Sequence, residues 1–324
     1  GAMVYELRYR TTNTDGTPVY TWTQLTSSTN TVVPIDPGVP HGGSFERFQL
    51  VRFDDGSEVL VGQLRLQDPV YAFKVSAPVT TVTPAPTPAP VTSGAALPPL
   101  SPPEPTIPAD PLSTQAKAMA PGTWAAIAAD NTARAIDPAR DPAANPNYPR
   151  LPPYSGGTGY TALWQAWNSG VFVPTVGPCG AIVNYGGGHM DYWGNEVIAL
   201  NLCGGSAGGP IWQRLSEPYS GPINWPYTGG EFPNHTPVPS HTYDTLSYDP
   251  ATNSLVVLQS MSSGLASKYE PNAWRFSFTT RTWSGPFPHR GVQYGVSAFD
   301  SRRGLVWFQP QQGMPGELTS YNPA

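Results

Sequence analysis

Short strand-like runs separated by tight turns recur through the C-terminal half of this 324-residue chain. A unit of four short strands in roughly 45 residues cannot bury both of its faces alone, so copies must stack on one another. The clearest copy runs from His241 to Trp283. It holds Thr242 to Tyr248, the turn Asp249-Pro250-Ala251-Thr252-Asn253, then Leu255-Val256-Val257-Leu258, then Ala273 to Phe278, then Trp283. An earlier copy has a first strand from Trp164 to Phe172, followed by Ala181 to Tyr185, Glu196 to Leu200 and Ile211 to Leu215. A later one has Tyr294 to Phe299, the turn Asp300 to Gly304, Leu305 to Phe308 and Glu317 to Tyr321. Gly122 to Ala128 reads as an orphan strand, placed to complete a sheet in ring closure. Three units and one strand are too few to close a ring. That leaves a piece of a longer protein, units hidden in 129–160 and 216–240, association of chains as a homo-oligomer, or a smaller ring closed within the chain. The opening Gly1-Ala2-Met3 reads as a cleavage scar left by expression and favours the first.

Composition narrows the function classes. Charged residues make up 12% of the chain, about half the usual ~25%. The formal net charge of −5 gives no basic face for nucleic acid. No apolar run reaches the ~18 residues of a spanning helix, so no membrane insertion is expected. With 10 Trp, 16 Tyr and 11 Phe, the chain has the apolar material that disordered proteins lack.

Two further regions precede the repeats. Residues 4–77 alternate apolar and polar side chains with no helical period, and Asp54-Asp55-Gly56-Ser57 is a hairpin signal between two such runs. A small β-sandwich-like module is expected there. Its strings YELRYRTT, TWTQLTSSTNTVVPI and FERFQLVRF resemble the later strands of a fibronectin type III domain. Residues 78–112 are a Pro-rich linker, with 12 prolines between positions 78 and 111. Proline lacks the backbone donor for ladder or helix, so this stretch is expected to be extended at about 3.1 Å per residue and to act as a spacer. A short Ala-rich helix is expected over Ser113–Ala120. Residues 113–324 hold the repeats, so the chain as a whole reads as all-β.

The string Tyr185-Gly186-Gly187-Gly188-His189-Met190-Asp191-Tyr192-Trp193-Gly194-Asn195-Glu196-Val197 resembles a signature of Kelch-like, galactose-oxidase-like β-propellers, which occur in many phage and prophage proteins. His241-Thr242-Tyr243-Asp244 and Trp124-Ala125-Ala126-Ile127 fit the same pattern. The resemblance implies a propeller over 113–324, incomplete or truncated. Glycines after the second strand would give the sharp exit and the close approach that a side chain forbids. Most tryptophans would pack between blades.

In a propeller blade the loop between strands two and three shares a face with the lead-in to strand one. His189 and Asp191 fall in such a loop, His241 before one first strand and His289 before the next. Tyr192, Trp193, Asn195 and Asp244 are their companions. These eight are the candidate ligand-binding residues. Imidazole, carboxylate and amide groups beside the aromatic faces of Tyr192, Trp193 and Trp225 suit a sugar. Alternatively, His189 and His241 hold turns together across blades. The spacing matches no metal-ligand motif, so no metal is expected. Galactose-oxidase copper chemistry needs tyrosines, two histidines and a thioether-forming cysteine. Cys179 and Cys203 do not sit beside such a set, so the resemblance does not extend to that activity and no cofactor is expected. Asp191 with Asp244 could form the acid pair of a glycosidase, but no nucleophile elbow, HExxH or phosphate loop occurs. No catalytic residue is therefore assigned.

Residue 191 lies midway between Cys179 and Cys203. If strands two and three form a hairpin about that point, the two cysteines stand opposite each other, close enough for a disulfide; two buried thiols are the alternative. A disulfide would suit a virion or extracellular location. The expected function is that of a non-enzymatic, tail-associated phage virion protein. It would recognise host surface glycan or receptor through the propeller and contact other virion proteins. A secreted carbohydrate-active enzyme and a scaffold docking another protein are the alternatives.

Overall fold

A computed structural model describes residues 5–12, 18–24, 48–53, 55–63, 69–76, 111–128, 133–138, 159–165, 168–187, 192–204, 211–221, 230–259, 272–288, 295–309 and 318–323. The fold is all-β, with four sheets in a propeller-like arrangement of four blades. Strands β1 (Tyr5–Thr12) and β2 (Pro18–Gln24) form a separate hairpin. The first blade comprises β3 (Phe48–Arg52), β4 (Glu58–Gly62), β5 (Val70–Ser76) and β6 (Trp124–Ala128). The second comprises β7 (Gly170–Val173), β8 (Ala181–Asn184), β9 (Ile198–Asn201) and β10 (Trp212–Arg214). The third comprises β11 (Leu246–Asp249), β12 (Ser254–Leu258), β13 (Asn272–Ser277) and β14 (Trp283–Pro288). The fourth shows β15 (Ser297–Asp300), β16 (Leu305–Phe308) and β17 (Thr319–Tyr321). Each blade is an antiparallel meander in chain order. Between β5 and β6 lies helix α1 (Pro111–Ala118), and before β7 lies the single-turn α2 (Ala162–Gln165).

The turns follow from their residues. Asp249 accepts from the Ala251 amide and the Thr252 hydroxyl (3.0 and 2.5 Å), and Asn253 takes the left-handed conformation at φ 49°. The Asp55 carboxylate accepts from the Ser57 amide and hydroxyl (2.9 and 2.6 Å), with Gly56 at φ 77°.

The first strands of successive blades adjoin: β3 meets β7, β7 meets β11, and β11 meets β15. The Gln49 side chain donates to the Gly170 carbonyl at 2.9 Å. A parallel bridge joins Asp244 to Val296, ahead of β11 and β15. Strands β7, β11 and β15 together line an open cavity of about 280 Å³, with Ser247 and Ser297 bonded across it at 2.9 Å.

Hydrophobic cores fill the spaces between blades. In β12, Leu255 and Val257 pack toward the second blade, whereas Val256 and Leu258 pack toward the fourth. In β9 and the residue before it, Val197 and Ala199 face the third blade, while Ile198 and Leu200 face the first. A strand buried on both faces reads as an unbroken apolar run rather than an alternating one. That is why Leu255-Val256-Val257-Leu258 shows no period of two. Each such side chain contributes about 1.5–3 kcal/mol when fully buried.

Two expectations are corrected. Residues 48–76 do not form a sheet apart from the repeats: β5 pairs with β6, with Tyr71 opposite Ala126 and Phe73 opposite Trp124. The supposed orphan strand is therefore the fourth strand of the first blade, and residues 77–110 connect two parts of one blade. The count of three units likewise becomes four. The reason is that β6 meets β5 through a pairing far apart in sequence, which local pattern does not reveal. The Pro-rich stretch itself and the strings joining β2 to β3 lie outside the described residues.

Candidate functional site

The loop leaving β8 and the segment leading into β11 meet on one face of the propeller. Two glycines start the first of these. A Cβ on Gly187 (φ 126°) would stand 2.8 Å from the Tyr192 carbonyl oxygen and 3.0 Å from Pro239. A Cβ on Gly186 would stand 2.2 Å from the Asn168 side chain. These glycines make room for loops folding back over them. The Tyr192 amide then donates to the Gly187 carbonyl at 2.8 Å, closing the loop on itself.

Asn195 uses its whole side-chain amide as a clamp. Its Nδ2 donates to the Thr236 hydroxyl and the Pro237 carbonyl, both at 2.9 Å, and its Oδ1 accepts from the Tyr219 amide at 2.7 Å. The Tyr185 hydroxyl reaches the same segment, donating to the carbonyls of Pro237 and Val238 (3.3 and 3.0 Å). Beneath, Thr242 Oγ1 donates to the Tyr185 carbonyl and accepts from the Ser169 amide, while Asn168 Oδ1 accepts from the Thr242 amide. Gln259 donates to the carbonyls of Gly230 and Val238 and accepts from the Trp274 indole. Buried polar groups paired in this way fix one arrangement of the loops, because breaking any pair leaves a desolvated partner.

The candidate residues fall into three groups. Tyr192, Asn195 and His241 are each only 2% exposed. His241 Nδ1 lies 3.2 Å from the hydroxyl of Tyr243, a residue held at φ 47°. Asp244 and Trp193 are half-buried; the Asp244 backbone bonds to Gly295 and Ser297, and Trp193 packs between the first core and Phe232. His189, Asp191, His289 and Trp225 lie outside the described residues. The structure thus joins Asn195 to 236–237 and His241 to Tyr243, and turns Tyr192 toward a residue that sequence reasoning passed over.

That residue is Glu196, which has no exposed surface. The Tyr192 hydroxyl donates to its Oε1 at 2.7 Å, while Oε2 is buried without a hydrogen-bond partner among the described residues. Burial raises its pKa from 4.5 to about 7, against the opposing effects of the Tyr192 bond and the Arg214 charge. Burial, with Glu196 as the next cause, also pushes the Tyr160 and Tyr185 phenols well above their ordinary value. An acid inside Asn195-Glu196-Val197-Ile198-Ala199-Leu200 was the available signal, since every neighbour on the C-terminal side is a core residue.

Cys179 and Cys203 form a disulfide with Cα atoms 5.3 Å apart. It ties the turn after β7 to the turn after β9, on the face opposite the loops above. Ala181 pairs with Asn201, so the same register extended by two residues sets the cysteines opposite each other. Among the described residues, the clamp's amides and hydroxyls are buried and paired with one another, and the Trp193 ring is half-buried at this face. No group of three His, Cys, Asp or Glu side chains that could hold a metal occurs among the described residues. No family model, curated protein or solved structure matches the chain.

Proposed function

We propose that this chain is a non-enzymatic Kelch-like propeller protein, tail-associated on a phage virion, that attaches to glycan on the host surface. The observation that carries the binding part is the hydrogen-bonded clamp under the loop face, from Asn168 through Thr242 and Tyr185 to Asn195. Such a platform supports recognition because the ordering cost of its loops is met on folding and not on binding. The clamp's own polar groups are buried and paired, so the sugar would be met by His189, Asp191 and the aromatic faces of Trp193 and Trp225, in the loops that the clamp supports. Glu196, the strongest perturbed acid, is enclosed and cannot reach a substrate as general acid. The virion assignment is supported by the YGGGHMDYWGNEV string, and a disulfide agrees with an extracellular setting.

The test is a glycan array probed with the intact protein, followed by incubation of retained glycans with the protein. Retention of a defined set with no product released supports the reading. Absence of retention on the array and on host cells would overturn it, and released product would replace it with the enzyme reading.

A further inference from the structure

The turn after β7 and the turn between β13 and β14 bound a second cavity, on the face opposite the clamped loops. Its volume is about 240 Å³, close to the lower end of the ~300–1,000 Å³ usual for small-molecule pockets. Val176, Leu215 and Phe276, from the core between the second and third blades, form its apolar side with Phe278. Asn201, Gln213 and Arg281 add two amides and a guanidinium to its lining.

Three further features point to a ligand. Arg281 occupies φ 57°, the left-handed position that ends the β13–β14 turn as Asn253 and Gly304 end theirs, so the turn fixes where its side chain leaves the backbone beside the cavity. Among the described residues, the side chains of Arg281 and Gln213 have no hydrogen-bond partner, so a cation and an amide stand available at the cavity. The rim is also built to hold shape. Thr175 Oγ1 donates to Asn253 Oδ1 at 2.5 Å, the Tyr248 hydroxyl donates to the same oxygen at 3.1 Å, and Asn253 Nδ2 donates to Thr279 at 3.1 Å. The Cys179–Cys203 disulfide and the Cys203 amide bond to Asn201 Oδ1 fix the other side.

We propose that this interblade cavity binds an acidic saccharide unit, its carboxylate paired with Arg281 and its hydroxyls with Gln213 and Asn201, the ring lying against Phe278. The guanidinium fork matches a carboxylate, and a planar aromatic face suits the C–H side of a pyranose. The inference rests on the glycan-binding reading and names its substrate class and a location remote from the loop face.

The test measures binding of D-glucuronic and D-galacturonic acid, against D-glucose and D-galactose, to the intact protein by calorimetry and ligand-observed NMR. The wild type should prefer the uronic acids. Arg281→Gly should weaken them about tenfold or more while its melting temperature stays level or rises, because glycine adopts that φ freely. Gln213→Ala should weaken both classes. Uronate affinity unchanged in Arg281→Gly, or equal binding of neutral sugars, overturns the inference. If the array glycans are still held fully by Arg281→Gly, the glycan reading survives and this site fails. If the wild type binds no saccharide, both fail.

Discussion

Replacing Glu196 by glutamine should remove a pH dependence of stability that this one side chain creates. Its carboxyl titrates at about 7 in the folded protein and near 4.5 in the unfolded chain. Below pH 4.5 both states carry the proton and the group adds no pH dependence. Between 4.5 and 7 the unfolded chain releases its proton while the folded protein keeps it, so stability falls as pH rises. Above 7 both are ionised and the loss is complete. At ~1.4 kcal/mol for each pH unit between the two values, it amounts to about 3 kcal/mol. Glu196→Gln keeps an oxygen for the Tyr192 hydroxyl but cannot ionise. Its amide protons lack acceptors, a constant cost of about 1–3 kcal/mol that is the same at every pH. The assay is chemical and thermal unfolding of both proteins at pH 4.5 and pH 8. Relative to wild type, the variant should gain about 3 kcal/mol between the two, or roughly 6–12 °C in melting temperature. Parallel pH profiles for the two proteins would refute the assignment of a buried, neutral carboxyl at this position.

Reducing the Cys179–Cys203 bond, or replacing both cysteines by serine, should cost about 3–4 kcal/mol from the reopened 24-residue separation; melting curves with and without reductant measure it. Gly187→Ala should destabilise by about 1–3 kcal/mol or more, since its Cβ meets backbone rather than a movable side chain and its φ of 126° disfavours any other residue. Hydrogen exchange should then rise at Tyr192 before it rises in β12. Trp274→Ala should cost about 3–5 kcal/mol, because the indole is wholly buried between blades and bonded to Gln259; denaturant midpoints report it.

The parts of the fold that were legible in sequence are those set by neighbours along the chain. Asp55-Gly56 and Asp249 to Asn253 announce their turns through side chains that bond to their own backbone. The β8–β9 register fixes where Cys179 and Cys203 stand. What stayed hidden depends on distant partners. Nothing in Trp124 to Ala128 states that it pairs with Val70 to Phe73. Asn195 is the residue type that would bind a sugar and equally the type that clamps a loop; only the positions of Thr236, Pro237 and Tyr219 show the clamp. Arg281 reads as an ordinary turn residue until its φ and the cavity beside it are known.

The most direct test of the account is to place a specific protease site within residues 78–110, cleave the purified protein there, and analyse it by size-exclusion chromatography without denaturant. The pairing of β5 with β6 predicts that the two fragments elute together at the size of the uncut chain and part only on unfolding. Fragments that separate under native conditions would contradict a first blade built from both sides of the Pro-rich segment.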